Sequence, residues 1–462
     1  MAISSNDNIK ALLKVWYKDG VSNLLFRNSP VLKMIQKNRI EGKTYNFSAM
    51  YGSGGAVGGD FTKVRTLAAN TSKNVEFAVE PGQLFSSYTM NAKEVQASQT
   101  QKGAYMKVAG AKMFAATDGF RKTLAAAIYG RGYGELCFAP ETALTAGTEV
   151  DITLTDTAVM SIGEGTVLAI KTSVAGGATD VKATLTVVKT DGNTVTVIPS
   201  ATYTPAATDV ICLDGSIDSA GNPLLPMGLA GWLPAVGERK TDTWKSYIKT
   251  KFFGVDRSVA PDRLAGAFYE ETSSTAKMAD AVQTLMQKCR RQGSLADMLV
   301  INDEDWVKLS KEIEASNSYF TQTSTKSKKS AVIGYSSFAA SFSTNYIENI
   351  IDDPFCPKGQ FFILDSSAVE FDTLTNTDKI NDGIANNDPG KADPMSENDN
   401  GKADAPYKLI IDDYISVNSG TASIEGPSSE VSLILFGSLV ITNPSVCGTG
   451  LFYGANSVSL SA

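Results

Sequence analysis

Between Pro81 and Pro140 the chain carries no proline, and that gap sets the scale of what it can fold into. Within it Met106, Ala109, Met113, Ala116, Phe120 and Leu124 recur at helical spacing, the apolar stripe of an amphipathic helix. The spacing predicts one helix over Ala92–Tyr129, which at 1.5 Å per residue would run to roughly 57 Å. Gly103, Gly110 and Gly119 interrupt it; each costs about 1 kcal/mol against Ala in an exposed helix but lets a sheet approach closely. We read the segment as a spine.

The segments on either side have different periods. Upstream, Ile9, Leu12, Leu13 and Trp16 predict a short helix ended by Gly20, and Ser29-Pro30 opens another with Val31, Met34 and Ile35 on one face. From Thr44 to Thr89 the pattern is extended. Tyr45 and Phe47, then Val75, Phe77 and Val79, alternate with polar neighbours around a glycine-rich tip, Gly52 to Gly59, as in a long two-stranded excursion. Such a loop has little core of its own and usually serves a function. Downstream, about Thr142 to Asp214 is rich in Thr, Val and Ala, with turn signals at Ala175-Gly-Gly-Ala and Asp191-Gly-Asn193. It predicts a small antiparallel barrel or sandwich inserted after the spine.

Beyond the insert the patterns mix. A turn is expected near Leu264, a helix over Thr275 to Gln292, a strand at Met298 to Ile301 and a helix over Asp303 to Ala315. Asn302 is placed to cap the last helix, and Asp303, Glu304 and Asp305 suit its N-terminal dipole. Asp372 to Ala405 reads as an exposed acidic loop. Val431 to Ile441, almost continuously apolar, should lie inside a sheet. The fold class is α+β.

With 462 residues, 43% of them apolar and 20% charged, the chain can bury a large core, and no run approaches the roughly 18 apolar residues of a membrane span. The first residues lack the basic start and apolar centre of a secretory signal, so folding where the chain is made is expected. Five dispersed cysteines, Cys137, Cys212, Cys289, Cys356 and Cys447, form no CxxC pair and argue against a disulfide framework. A net charge of −7 disfavours tight nucleic-acid binding. The absence of histidine removes His triads, His general bases and His-ligated metal sites together. No catalytic, cofactor-binding or metal-ligating residue is assigned.

Motifs that carry chemistry fail on spacing. Gly42-Lys43-Thr44 ends like a phosphate-binding loop, but Lys37 stands where its first glycine must be, and after Gly54 to Gly59 come Asp60 and Phe61 rather than Lys and Ser or Thr. No GxSxG occurs. Asp393, Glu397, Asp399 and Asp404 could offer oxygens to calcium, yet they do not fit the EF-hand pattern, and a solvated loop is the simpler reading. Asp352-Asp353 and Asp412-Asp413 read as surface or turn residues, since strand neighbours point to opposite faces.

Several phrases, in their order, resemble the major capsid proteins of tailed bacteriophages, the Hong Kong 97-type fold. Asn28-Ser-Pro-Val-Leu, Glu41-Gly-Lys-Thr-Tyr and the glycine tip are similar to that family's N-terminal arm and extended E-loop. Met227-Gly-Leu-Ala-Gly-Trp-Leu-Pro234, Phe253-Gly-Val-Asp-Arg-Ser-Val-Ala-Pro-Asp-Arg-Leu-Ala-Gly266, Leu299-Val-Ile-Asn-Asp-Glu-Asp-Trp306 and Asp352-Asp-Pro-Phe-Cys-Pro-Lys-Gly359 resemble phrases of one capsid group. The resemblance leaves out the β insert and the acidic loop. It implies a structural protein rather than an enzyme, whose hexamers and pentamers close an icosahedral shell around double-stranded DNA. Scaffold, portal and head-decoration proteins would be its partners, with assembly in the bacterial host cytoplasm, residence in the virion, and no membrane or cofactor. Some members seal the shell by a Lys to Asn isopeptide bond; Lys63 and Lys73 lie in the extended loop, but no acceptor Asn or catalytic Glu matches by motif.

The expected organisation is an N-terminal arm at 1–43, the extended loop at 44–91, the spine and start of the peripheral domain at 92–140, the β insert at 141–216, and the rest of the peripheral domain with the axial domain at 217–462, the acidic loop at 372–405 included. Candidate inter-subunit contacts are Trp16, Gly52, Gly54, Gly55, Gly58, Gly59, Phe61 and Phe77. A β-rich phage or cell-surface fibre predicts repeats and stable trimers, which the long helix fits poorly. A carboxylate-based hydrolase would need two carboxylates about 5 to 10 Å apart in a cleft, a pair the sequence does not mark.

Overall fold

The computed structural model describes residues 30–40, 42–52, 57–67, 73–91, 119–172, 181–207, 209–218, 221–235, 251–271, 273, 276–316, 338–339, 346–347, 349–374, 408–412 and 428–452. Helices and sheets are both present, and the chain is α+β. Of the expected spine, residues 119–127 are helical and 128–129 form a turn; residues 92–118, the first predicted helix and most of the acidic loop lie outside the described residues.

Strand Ser428–Ile441 organises one sheet. Gly82–Asn91 runs antiparallel along one side of it, while Val369–Thr373 and Lys408–Asp412 pair in tandem along the other. Gln36–Arg39 adds a parallel edge beyond Val369–Thr373. Leu433, Leu435, Leu439, Val440 and Ile441 are buried, as their nearly unbroken apolar run requires of an interior strand. Against them pack Phe120, Leu124 and Ile128 from the helical segment and Val31, Leu32 and Ile35 from the arm.

A second sheet has the order Ala267–Glu271, Gly448–Phe452, Gln360–Leu364, Met298–Ile301, Asn349–Asp352. Alternation explains why Met298–Ile301 is apolar at every position. Met298 and Val300 face the core just described, while Leu299 and Ile301 face a separate core under helices Met278–Arg291 and Asp303–Ser316. The sheet is therefore a wall shared by two cores. Helix Met278–Arg291 carries Lys288, Arg290 and Arg291 in its last turn and gives way at Gly293, with φ +90°, a stop that suits both dipole and backbone. Asn302 caps the following helix as expected, its Oδ1 accepting the Glu304 amide at 3.1 Å.

The Thr/Val-rich region forms one six-stranded antiparallel sheet, not two packed ones, in the order Glu135–Phe138, Val210–Leu213, Val167–Lys171, Val181–Asp191, Thr194–Pro199, Val150–Thr153. Its own core holds Ile152, Leu168, Leu185, Val195, Val197 and Ile211. The predicted turn at Asp191-Gly-Asn193 is a two-residue hairpin, with Gly192 at φ +57°. The sheet starts upstream of 141, at Glu135. Pro140 separates that first strand from the Thr/Val pattern, so periodicity alone does not join them.

Candidate assembly surface

Strands Tyr45–Gly52 and Lys73–Val79 pair antiparallel, Phe47 opposite Phe77 and Ala49 opposite Val75. Period-two alternation gives the hairpin two unlike faces. Tyr45, Phe47, Ala49, Tyr51, Val75, Phe77 and Val79 turn toward the main core, and Asn46, Ser48, Met50, Asn74 and Glu76 toward solvent.

The inner face rests on an aromatic nest. Phe47 and Phe77 stack at 5.2 Å between centroids, and Phe77 meets the fully buried Trp232 at 5.5 Å. Phe252 stands edge-on to Trp232 at 5.0 Å, within the range of favourable ring pairs. Trp232 Nε1 donates to the Leu439 carbonyl at 2.7 Å, tying the nest to the long central strand. Arg257 lies below, 4.1 Å from the Phe252 ring centre and donating to the carbonyls of Gly231 at 2.9 Å and Trp232 at 3.1 Å. Further out, Arg263 donates to the Tyr51 carbonyl at 2.8 Å. The hairpin is thus fixed on its own chain for most of its length.

Its far end is different. Val57, Phe61 and Met50 are 103%, 78% and 68% exposed, so three large apolar side chains of the excursion, one near the end of its first strand and two beyond it, meet water. Phe61–Leu67 forms a short helix there, absent from the sequence reading. Asp60 caps it, accepting the Thr62 amide at 2.9 Å and the Lys63 amide at 3.3 Å. The signal was legible as an aspartate ahead of Phe-Thr-Lys, but the glycine run before it read as featureless tip.

The candidate contact residues do not share one fate. Phe61 is on the exposed tip, with Gly58 and Gly59 just before it; Gly52 ends the first strand opposite Lys73. Trp16, Gly54 and Gly55 lie outside the described residues. Phe77 is a correction: it is wholly buried against Trp232 within its own chain, because the alternation that marks an apolar face does not say which body that face meets. Asp353 is a second correction. It is buried, accepting from Tyr129 Oη at 2.8 Å and the Phe355 amide at 3.0 Å, so it ties the helical segment to the shared wall rather than facing solvent. Asp393, Glu397, Asp399, Asp404 and Asp413 are outside the described residues.

All five cysteines are buried free thiols. Burial pushes Cys137 up to about 11 and Cys212 up to about 12, which leaves them protonated and poor nucleophiles near neutral pH. Among the described residues no group of three or more Cys, Asp or Glu could hold a metal ion, and no helix is long and apolar enough to cross a membrane.

No family model matches the chain, and no curated protein matches it. Solved structures similar to it include the capsid asymmetric unit of cyanophage A-1(L), 12% identical over 93% of each chain with a TM-score of 0.48. The capsid of a native GTA particle is 8% identical over 92% of this chain and 90% of that one, TM-score 0.38. The holo-SrpI encapsulin complex of Synechococcus elongatus PCC 7942 is 6% identical over 92% and 86%, TM-score 0.39. At these values the likeness carries no residue role across.

Proposed function

We propose that the chain is a major capsid protein of the Hong Kong 97-type fold, a structural subunit that forms hexamers and pentamers and closes an icosahedral shell around phage double-stranded DNA. One observation carries this reading: an excursion whose hairpin is clamped to its own core carries three large apolar side chains, Met50, Val57 and Phe61, that its own chain leaves in water. We read large apolar side chains left exposed on one excursion of the chain as a protein contact. A neighbouring copy is the partner, and scaffold, portal and head-decoration proteins complete the assembly in the host cytoplasm and virion. The protein is not an enzyme in this reading. The β insert decorates the shell or braces neighbouring capsomers.

Sedimentation of the purified protein, with negative-stain images of the heaviest fraction, tests the proposal. Shells, or rings of five and six, are expected. A stable trimer would favour a fibre, and a monomer that stays monomeric with its scaffold would overturn the shell reading. Protease should cut residues 52–59 readily in free subunits and poorly in shells; equal cutting would remove the tip from the contact.

A further inference from the structure

The six-stranded sheet joins the body through a narrow neck in which entering and leaving chain segments bond to each other. Leu213 N donates to Gly134 O at 2.9 Å and Leu225 N to Gly132 O at 3.1 Å. Ser216 Oγ donates to Tyr133 O at 2.6 Å. Gly134 sits at φ +66°, and a Cβ there would come within 2.7 Å of Ser216 Cβ, so the two segments are pressed together. Away from the neck a second attachment crosses between the cores. Lys358 Nζ, on the turn before strand Gln360–Leu364, pairs with Asp156, which opens the short helix Asp156–Met160 of the insert. The same ammonium reaches Glu304 of helix Asp303–Ser316 at 2.8 Å. Asp156 is also bonded by the Asn193 amide from the insert's hairpin turn.

We infer that this Asp156–Lys358–Glu304 bridge is a releasable ionic clasp that sets the orientation of the insert on the body. Its base is rigid: Gly359 N donates to the buried Asp305 carboxylate, and Phe452 N to Gly359 O at 2.8 Å. Its three charged side chains are 34–55% exposed, so salt can screen them, whereas the hydrogen-bonded neck stays closed. With the clasp shut the insert is held by both neck and clasp; with it open the clasp no longer restrains it and the insert turns. The inference concerns one chain and does not rest on the shell reading.

Spin labels on Glu164→Cys in the insert and Lys311→Cys on the body, in the full chain whose native cysteines are buried, read this directly. At low salt a single narrow distance distribution is expected. Lys358→Ala and Asp156→Asn should each broaden it about twofold or more, as should ~1 M NaCl. Lys358→Arg should keep it narrow. Lys189→Ala, which breaks the exposed Lys189–Asp191 pair inside the insert, should leave it unchanged. A wild-type distribution in Lys358→Ala or in Asp156→Asn would overturn the clasp.

Discussion

Asp372 sits in strand Val369–Thr373 with both carboxylate oxygens buried and without a hydrogen-bond partner. Glu370 is two residues away on the same face, and the Asn38 amide from the neighbouring strand donates to Glu370 at 2.5 Å. Burial pushes the Asp372 carboxyl up to about 7, and the Glu370 charge adds to the effect. The sign follows from linkage: the folded chain holds this proton more tightly than the unfolded chain does. The contribution is therefore complete below pH about 4, declines as pH rises and is gone above about 7. Asp372→Asn removes the charge, and we expect it to raise stability by roughly 1–3 kcal/mol at pH 8, with a smaller gain at pH 5. Urea midpoints at the two pH values check this; an equal effect at both would sink it. In the sequence Asp372 opens an acidic stretch and reads as loop. Its burial comes from pairing with Ser428–Ile441, remote in the chain, and no local pattern shows it.

At the scale of elements, the hairpin divides into an anchored stem and a free tip, and the two parts should respond differently to substitution. Trp232→Ala removes the ring beneath Phe47 and Phe77 and leaves the Leu439 carbonyl without its donor. We expect a loss of about 3–5 kcal/mol, with hydrogen exchange quickening in both hairpin strands ahead of the rest. Exchange unchanged in Tyr45–Gly52 would mean that the stem is held elsewhere. Met50→Ser with Phe61→Ser touches only exposed groups, so stability should move by no more than about 0.5 kcal/mol. Assembly, followed by light scattering, should weaken clearly; assembly at the wild-type rate would show that the tip makes no contact. Both strands were legible from alternation at Tyr45, Phe47, Val75, Phe77 and Val79. The division was not, since Trp232 and Arg257 come from distant segments whose aromatic character says nothing about what they cover.

At the scale of the molecule, the three largest apolar clusters among the described residues are the main core, the core under the two helices and the core of the insert. The first two share the sheet that contains Met298–Ile301 and should unfold together. The insert has a core of its own and a neck where Gly134 and Leu213 are hydrogen-bonded neighbours. Excision should therefore follow the neck. Removing 135–213 and joining Gly134 to Asp214 through a short linker should leave the other two cores melting cooperatively near the wild-type temperature. Removing 142–214 instead strands Glu135–Phe138 without Val210–Leu213 and should lower solubility. Calorimetry of both chains checks this, and loss of folding in the first would show that the insert is part of the main body. In assembled material the same excision should lower particle stability, as bracing requires.

The sequence by itself determined the local elements and their kind. The caps at Asn302 and Asp60, the stop at Gly293, the turn at Gly192 and the buried run in Ser428–Ile441 follow from backbone conformation, hydrogen-bond supply and side-chain period within a few residues. It also removed histidine chemistry, whatever the fold. Tertiary structure alone decided which face meets which: that Phe77 serves its own core while Phe61 faces water, that Asp353 and Asp372 are interior, that Glu135–Phe138 belongs to the insert, and that Lys358 reaches Asp156. Periodicity encodes that a face is apolar or polar, but the partner of that face is fixed by long-range pairing, and the energy of that pairing is spread over residues far apart in the chain.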